Sequence, residues 1–180
     1  MAEAPLYAPW RIEYIRSLDK PDGGECFLCA AAAAKTDQER RQRLVLWTTQ
    51  HTVVLINRYP YTNGHLLVAP IAHIAELEDV PDDAATDLHR QTTRAITLLR
   101  RTCSAQGFNV GINLGRCAGA GVPGHVHQHV VPRWAGDTNF MSVVGEVRIV
   151  PQAMSQLYEE LMRRIAEGQG ARGEGQEKAD

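Results

Sequence analysis

Three histidines, His125, His127 and His129, stand at alternate positions in the segment GHVHQHVVPRW, residues 124–134. Imidazole is a good nucleophile and a good general acid or base near neutral pH. In an extended strand, residues two apart project to the same face. The three rings therefore form a row, with Val126, Gln128 and Val130 on the other side. Each step along the row covers about 6.6 Å, and the outer pair lie about 13 Å apart. Zinc–imidazole bonds are only about 2 Å long, so one ion does not easily gather all three. The row is divided between tasks, unless it is simply a polar, hydrogen-bonded strand face. Upstream, NLGRCAGAGVPGH supplies Gly115, Gly119, Gly121 and Gly124. Such a loop offers backbone N–H groups to anionic oxygens. Beside a row of imidazoles, it points to phosphoryl or nucleotidyl transfer.

Cys26 and Cys29 form a C-x-x-C pair, while Cys103 and Cys117 stand alone. That spacing is not a disulfide framework. In a reducing compartment the pair is metal-binding or redox-active. A redox pair of the thioredoxin kind belongs at a strand-to-helix turn of a βαβ unit, and few helices alternate with strands here. Metal is the better functional reading. Two ordinary half-buried cysteines are the alternative.

The elements that must position these residues follow from pattern. RLVLWTT and TVVLINR, residues 43–49 and 52–58, are apolar, β-branched strands with a turn at Thr49-Gln50. YPYTNGH is turn chemistry with Asn63-Gly64 at its tip. A third strand runs from His65 to about Ala69, a fourth is FNVGINLG, and a fifth is HVHQHVVP, stopped by Pro132. Residues 80–103 make the best helix, with a stripe at positions 85, 88, 92, 95, 96, 99 and 103. Ala30–Arg43 reads as one short exposed helix, and residues 154–165 as a final amphipathic one. The class is α+β: an antiparallel sheet of about five strands with one long and one C-terminal helix. Residues 1–25 form an extended arm anchored by Trp10, Ile12, Tyr14 and Ile15. Residues 26–167 form the domain, and 168–180 a disordered Gly-rich tail.

Bulk properties exclude several classes. The chain has 180 residues, 44% of them apolar, and a net charge of −2. That balance advertises neither a nucleic-acid nor a membrane partner. No apolar run reaches bilayer length, and the N-terminus lacks the pattern of a signal peptide. A cytoplasmic protein is expected.

HVHQHVV resembles the histidine triad signature, His-φ-His-φ-His-φ-φ, with Gln128 where an apolar residue is usual. GINLG, GAGVPGHVHQHVVPRWAGDTNFM, the arm LYAPWRIEYI followed by CFLC, and INRYPYTNGHLLVAPIAHI are similar to the branch of the HIT superfamily that contains bacterial diadenosine polyphosphate phosphorylases and hydrolases. The resemblance spans roughly residues 6 to 145. It implies a HIT-like fold and a nucleotide substrate, such as diadenosine tetraphosphate. His127 would attack the α-phosphorus, form a nucleotidyl-histidine, and pass the group to water or phosphate. His129 would contact the phosphate and help the leaving group. Asn57 would hold the ribose and Asn113 the phosphate side, with Gly119 and Gly121 in the loop. Gly121 lies near a position where relatives often carry serine. The resemblance also implies a structural zinc on Cys26, Cys29, His73 and His125, and a homodimer. Within the same chemistry an adenosine 5'-phosphoramidate hydrolase stays open. Outside it stand a non-catalytic nucleotide-binding module and a hydrolase whose metal is held by the triad. His51, His65 and His89 read as ordinary polar residues, His65 being the one near the pocket.

Overall fold

Five strands form one antiparallel sheet in the order β1-β2-β3-β5-β4. They are β1 (Val45–Thr48), β2 (Thr52–Ile56), β3 (Leu66–Pro70), β4 (Gly107–Ile112) and β5 (Gln128–Arg133). A computed structural model of the chain describes residues 25–137 and 152–173. Most of the expected arm, with its four anchors, lies outside the described residues.

Alternation along the strands sorts the side chains into two layers. On one face Val54, Ile56, Leu66, Val68 and Val130 join Leu88, Ala95 and Leu99 of the long helix and Leu157, Tyr158 and Leu161 of the last one. On the other face Val45, Val53, Leu55, Leu67 and Ala69 pack beneath Leu28 and Ala31. A register shift between Val45 and Trp47 breaks the alternation in β1. It sends both Leu46 and Trp47 to the first layer.

Among the described residues four helices accompany this sheet: α1 (Phe27–Ala32), α2 (Asp37–Gln42), α3 (Asp82–Cys103) and α4 (Met154–Gly173). The single helix expected over Ala30–Arg43 is instead two. Thr36 starts the second with a capping box, its hydroxyl accepting from Glu39 N–H while the Glu39 carboxylate accepts from Thr36 N–H. The first begins at Phe27, because Leu28 and Ala31 have an apolar sheet face to bury against. α3 falls where the stripe places it, except that Ala84 is buried and Ala85 exposed. α4 continues past Gly168 into the segment expected to be disordered. No helix among the described residues is long and apolar enough to cross a membrane.

Strand β5 runs through Pro132, which was expected to stop it, and pairs there with Phe108 of β4. Proline lacks an N–H and survives in a sheet where no partner needs one. β3 pairs with β5 only from Gln128 to Val130, so the other side of Pro132 is not laddered. Gly64 occupies part of that space. Its φ is +78°, and a β-carbon there would lie 3.0 Å from Leu99 Cδ2 and 3.2 Å from Pro132 Cγ. Gly64→Ala combines left-handed strain with overpacking. It is expected to cost about 2 kcal/mol and to lower the melting temperature by about 5 °C. An unchanged thermal transition would contradict this account of the turn.

Candidate active site and metal centre

Strand β5 begins at Gln128, so His125 and His127, expected within the strand, precede it, and only His129 of the three lies in the ladder. Gln128 and Val130 face α3, where the Thr92 hydroxyl donates to Gln128 Oε1 at 2.8 Å. The amide at this unusual position is thus satisfied by a buried helix residue. Val126 packs with Val80 and Ala84. His129 lies on the opposite face, between Leu67 of β3 and Gly111 of β4. A β-carbon at Gly111 would meet nothing within 4 Å, so the face beside His129 is open toward β4.

His127 is buried, at 5% exposure, and its Nδ1–H donates to the backbone carbonyl of His125 at 2.8 Å. With the proton on Nδ1, Nε2 carries the free lone pair. Burial, with the nearby His125 ring, lowers the pKa of His127, although the hydrogen bond to the His125 carbonyl works the other way. The ring is therefore neutral near pH 7. Its centroid lies 5.0 Å from that of His129.

His129 has its own tautomer imposed from a neighbour. The Tyr61 backbone N–H donates to His65 Nδ1 at 3.1 Å. An accepting Nδ1 puts the His65 proton on Nε2, which donates to His129 Nδ1 at 2.9 Å. His129 must then carry its proton on Nε2, and that buried nitrogen has no partner among the described residues. A buried donor without an acceptor costs about 1–3 kcal/mol, so Nε2–H is available to an acceptor oxygen. Tyr61 stacks on both rings, at 4.8 Å from His65 and 5.9 Å from His129. His65 is fully buried, so reading it as an ordinary polar residue is corrected. Its signal is its parity with Leu67 in β3, which pairs directly with His129. That signal needs the strand register, which composition does not supply. His51 lies instead beside Asp83, at 3.7 Å, and His89 is exposed on α3.

Burial pushes the pKa of His129 down to about 4, helped by the adjacent His127. The unfolded chain takes up a proton near 6.5, so between about 6.5 and about 4 it binds more protons at this site than the folded one. The contribution of His129 is complete above pH 6.5 and is lost as pH falls toward 4. Allowing for solvent screening, about 1–2 kcal/mol of acid sensitivity is expected from this residue. His129→Gln should flatten the stability profile across that window in denaturant titrations. An identical profile would count against a neutral, buried ring.

Of the residues expected on the binding side, Asn57 meets His65 and Asn113 meets the glycine loop. Asn57 directly follows β2, with its Oδ1 accepting from Tyr59 N–H at 3.0 Å and its Nδ2 lying 3.3 Å from His65 Nδ1. It braces the turn that carries His65. Asn113 reaches across the neck of the glycine loop, Nδ2 to the Gly119 carbonyl at 3.5 Å. Gly119 has a φ of +84°, and Gly121 follows it in the same loop.

The metal-binding reading gathers residues from three separate segments. Cys26 caps α1 and Cys29 lies in its first turn, while His73 follows β3 and His125 precedes β5. Their ligand atoms all lie within 4.8 Å of one another. Cys29 Sγ is 3.2 Å from His73 Nδ1 and 3.5 Å from His125 Nδ1, and Cys26 Sγ is 3.4 Å from His125 Nδ1. Zinc bonds of about 2.3 Å to sulfur and about 2.0 Å to nitrogen give tetrahedral edges of about 3.5 Å. The four residues fit that set and can hold a metal ion. His125 Nε2–H donates to the Pro70 carbonyl at 2.9 Å. This leaves Nδ1 as the ligand nitrogen, oriented by an outer partner. Burial opposes ionisation of Cys26, but its contact with the His125 ring and hydrogen bonds from backbone amides bring its pKa to about 6. Burial and the neighbouring Cys26 raise that of Cys29. Two adjacent thiolates repel, and a divalent cation removes that conflict.

An antiparallel sheet that presents alternating histidines beside a glycine-rich loop defines the histidine triad class. Residues 38–136 match the HIT domain. The chain is 35% identical over 151 residues to an AP-4-A phosphorylase of Mycobacterium tuberculosis, covering 83% of this chain and 77% of that protein. It is 33% identical over 93 residues to the asymmetrical bis(5'-nucleosyl)-tetraphosphatase of Schizosaccharomyces pombe, covering 52% and 50%. A zinc-bound histidine triad family protein from Mycobacterium smegmatis shares the fold with a TM-score of 0.64 and 26% identity, over 82% of this chain and 97% of that one. The chain belongs to the HIT domain family.

Proposed function

We propose that the protein is a nucleotidyl transferase or hydrolase that cleaves dinucleoside polyphosphates, such as diadenosine tetraphosphate, through a nucleotidyl-histidine intermediate. The observation that carries this reading is the neutral His127, with Nδ1–H on the His125 carbonyl and its lone pair on Nε2. Similarity to proteins named AP-4-A phosphorylase and bis(5'-nucleosyl)-tetraphosphatase supports the substrate class.

In the first step His127 Nε2 attacks the α-phosphorus. A P–N bond forms, the bond to the bridging oxygen breaks, and ATP leaves. The Nε2–H of His129 is a donor available to phosphate oxygen as charge shifts to the leaving group. In the second step phosphate or water attacks the same phosphorus, and the P–N bond breaks. The products are ADP from phosphate or AMP from water. Splitting one displacement into two lowers each barrier. Asn57 serves the ribose, and Asn113, Gly119 and Gly121 serve the phosphate side.

Cys26, Cys29, His73 and His125 hold zinc in this reading. The ion would supply a structural cross-link, since four protein donors close its tetrahedral shell. The protein acts as a homodimer: β4 is the edge strand of the sheet and Val110 on it is 41% exposed, a surface suited to pairing with a second copy.

Product analysis tests the activity. Diadenosine tetraphosphate is incubated with and without inorganic phosphate, and nucleotides are separated. ADP formed only with phosphate identifies a phosphorylase, and AMP formed without it a hydrolase. Intact substrate under both conditions would overturn the reading.

A further inference from the structure

The cluster of cysteines and histidines shares one residue with the nucleophile's support. His125 turns Nδ1 toward Cys26 and Cys29, and its own backbone carbonyl accepts Nδ1–H of His127 at 2.8 Å. The ring is fully buried and fixed at its far end by the Pro70 carbonyl. The next residue is tied as well, Val126 N–H donating to the Ile74 carbonyl at 2.7 Å, one position beyond His73. A β-carbon at Gly124 would lie 3.4 Å from His73 Nε2. The backbone from 124 to 127 is thus seated directly on the metal ligands.

We propose that metal at Cys26, Cys29, His73 and His125 and nucleotide at His127 bind cooperatively, with the carbonyl of His125 as the link. The inference rests on the metal and nucleotide readings given above. With an ion in place, the His125 ring, its peptide plane and hence its carbonyl are fixed. That carbonyl selects the Nδ1–H form of His127 and leaves Nε2 to face phosphorus. Without the ion, the cysteine side of the His125 ring is held only by weak sulfur–nitrogen hydrogen bonds. The peptide then gains freedom, and His127 samples the form with its proton on Nε2, which has no lone pair there for attack. A nucleotide whose α-phosphorus faces the Nε2 lone pair needs the form with its proton on Nδ1, and that hydrogen meets the His125 carbonyl at 2.8 Å. It therefore favours the same peptide placement that the metal favours. Linkage makes the effect reciprocal: each ligand raises the affinity of the other by the same factor.

The test uses zinc-loaded protein and an excess of a chromophoric chelator, with release followed in the presence and absence of saturating AMP. AMP is expected to slow zinc release about five- to tenfold. In His127→Ala, at AMP concentrations shown to saturate that variant, release is expected to ignore AMP. As a second readout, long-range proton–nitrogen correlation spectra should show His127 in the Nδ1–H form with metal and as a mixture without it. Equal release rates with and without AMP in the parent protein, or equal protection in His127→Ala, would overturn the coupling while leaving both sites standing. Absence of stoichiometric zinc or of AMP binding would overturn the metal or nucleotide reading itself, and the coupling with it.

Discussion

His127→Ala is expected to lower the rate of diadenosine tetraphosphate cleavage by at least about a thousandfold. The variant loses the atom to which the proposed mechanism assigns the P–N bond, so phosphate and water must attack the substrate directly. What survives is binding by the loop and by His129, which gives a small residual rate and not a normal one. The structural cost is modest by comparison. Truncation leaves the His125 carbonyl without its donor and opens a small void, about 1–3 kcal/mol together. It also removes a buried ring whose burial disfavours its charged form. Rate and stability are therefore expected to separate. Product formation by chromatography and the thermal transition, measured on one preparation, give both. A variant that folds and turns over within tenfold of the parent would end the covalent mechanism.

Cys29→Ala is expected to abolish stoichiometric zinc and to lower the melting temperature by about 10 °C, equivalent to about 3 kcal/mol. Cys29 is the better probe of the pair because its sulfur approaches both His73 and His125, at 3.2 and 3.5 Å. A bound ion would tie α1, the segment after β3 and the approach to β5 together, and the hydrophobic layers on both sheet faces remain to hold the rest. The loss is therefore smaller than the full binding energy of a zinc-dependent miniature fold. Chelation of the parent protein should reproduce the shift and add nothing to the variant. Metal content by emission spectrometry and thermal transitions with and without chelator decide the matter. An unshifted transition in a metal-free variant would remove the structural role.

Much of this arrangement was legible before any coordinates. The spacing of His125, His127 and His129 singled out the segment, although only His129 lies within β5 and the other two precede it. The stripe of α3 and the Cys26–Cys29 spacing were equally local signals. Misses arose where the deciding partner is distant. Pro132 sits inside β5 because β3 has already ended beside it. His65 gained its role only through the pairing of β3 with β5, and α1 began at Phe27 because a sheet face awaited Leu28. The break at Thr36 was a different kind of miss, since the Thr36…Glu39 capping pattern was present and a good helix-forming run obscured it.

The register of β5 also carries a lesson about chain length. A strand sorts its residues in twos, like beads threaded alternately left and right. Adding or deleting a single residue between Gln128 and Val130, which pair with both β3 and β4, would not dent the molecule locally; it would exchange the His129 imidazole for the oily residues beneath α3. Natural variants of this protein should therefore tolerate length changes in the surface connections and forbid them across those few positions.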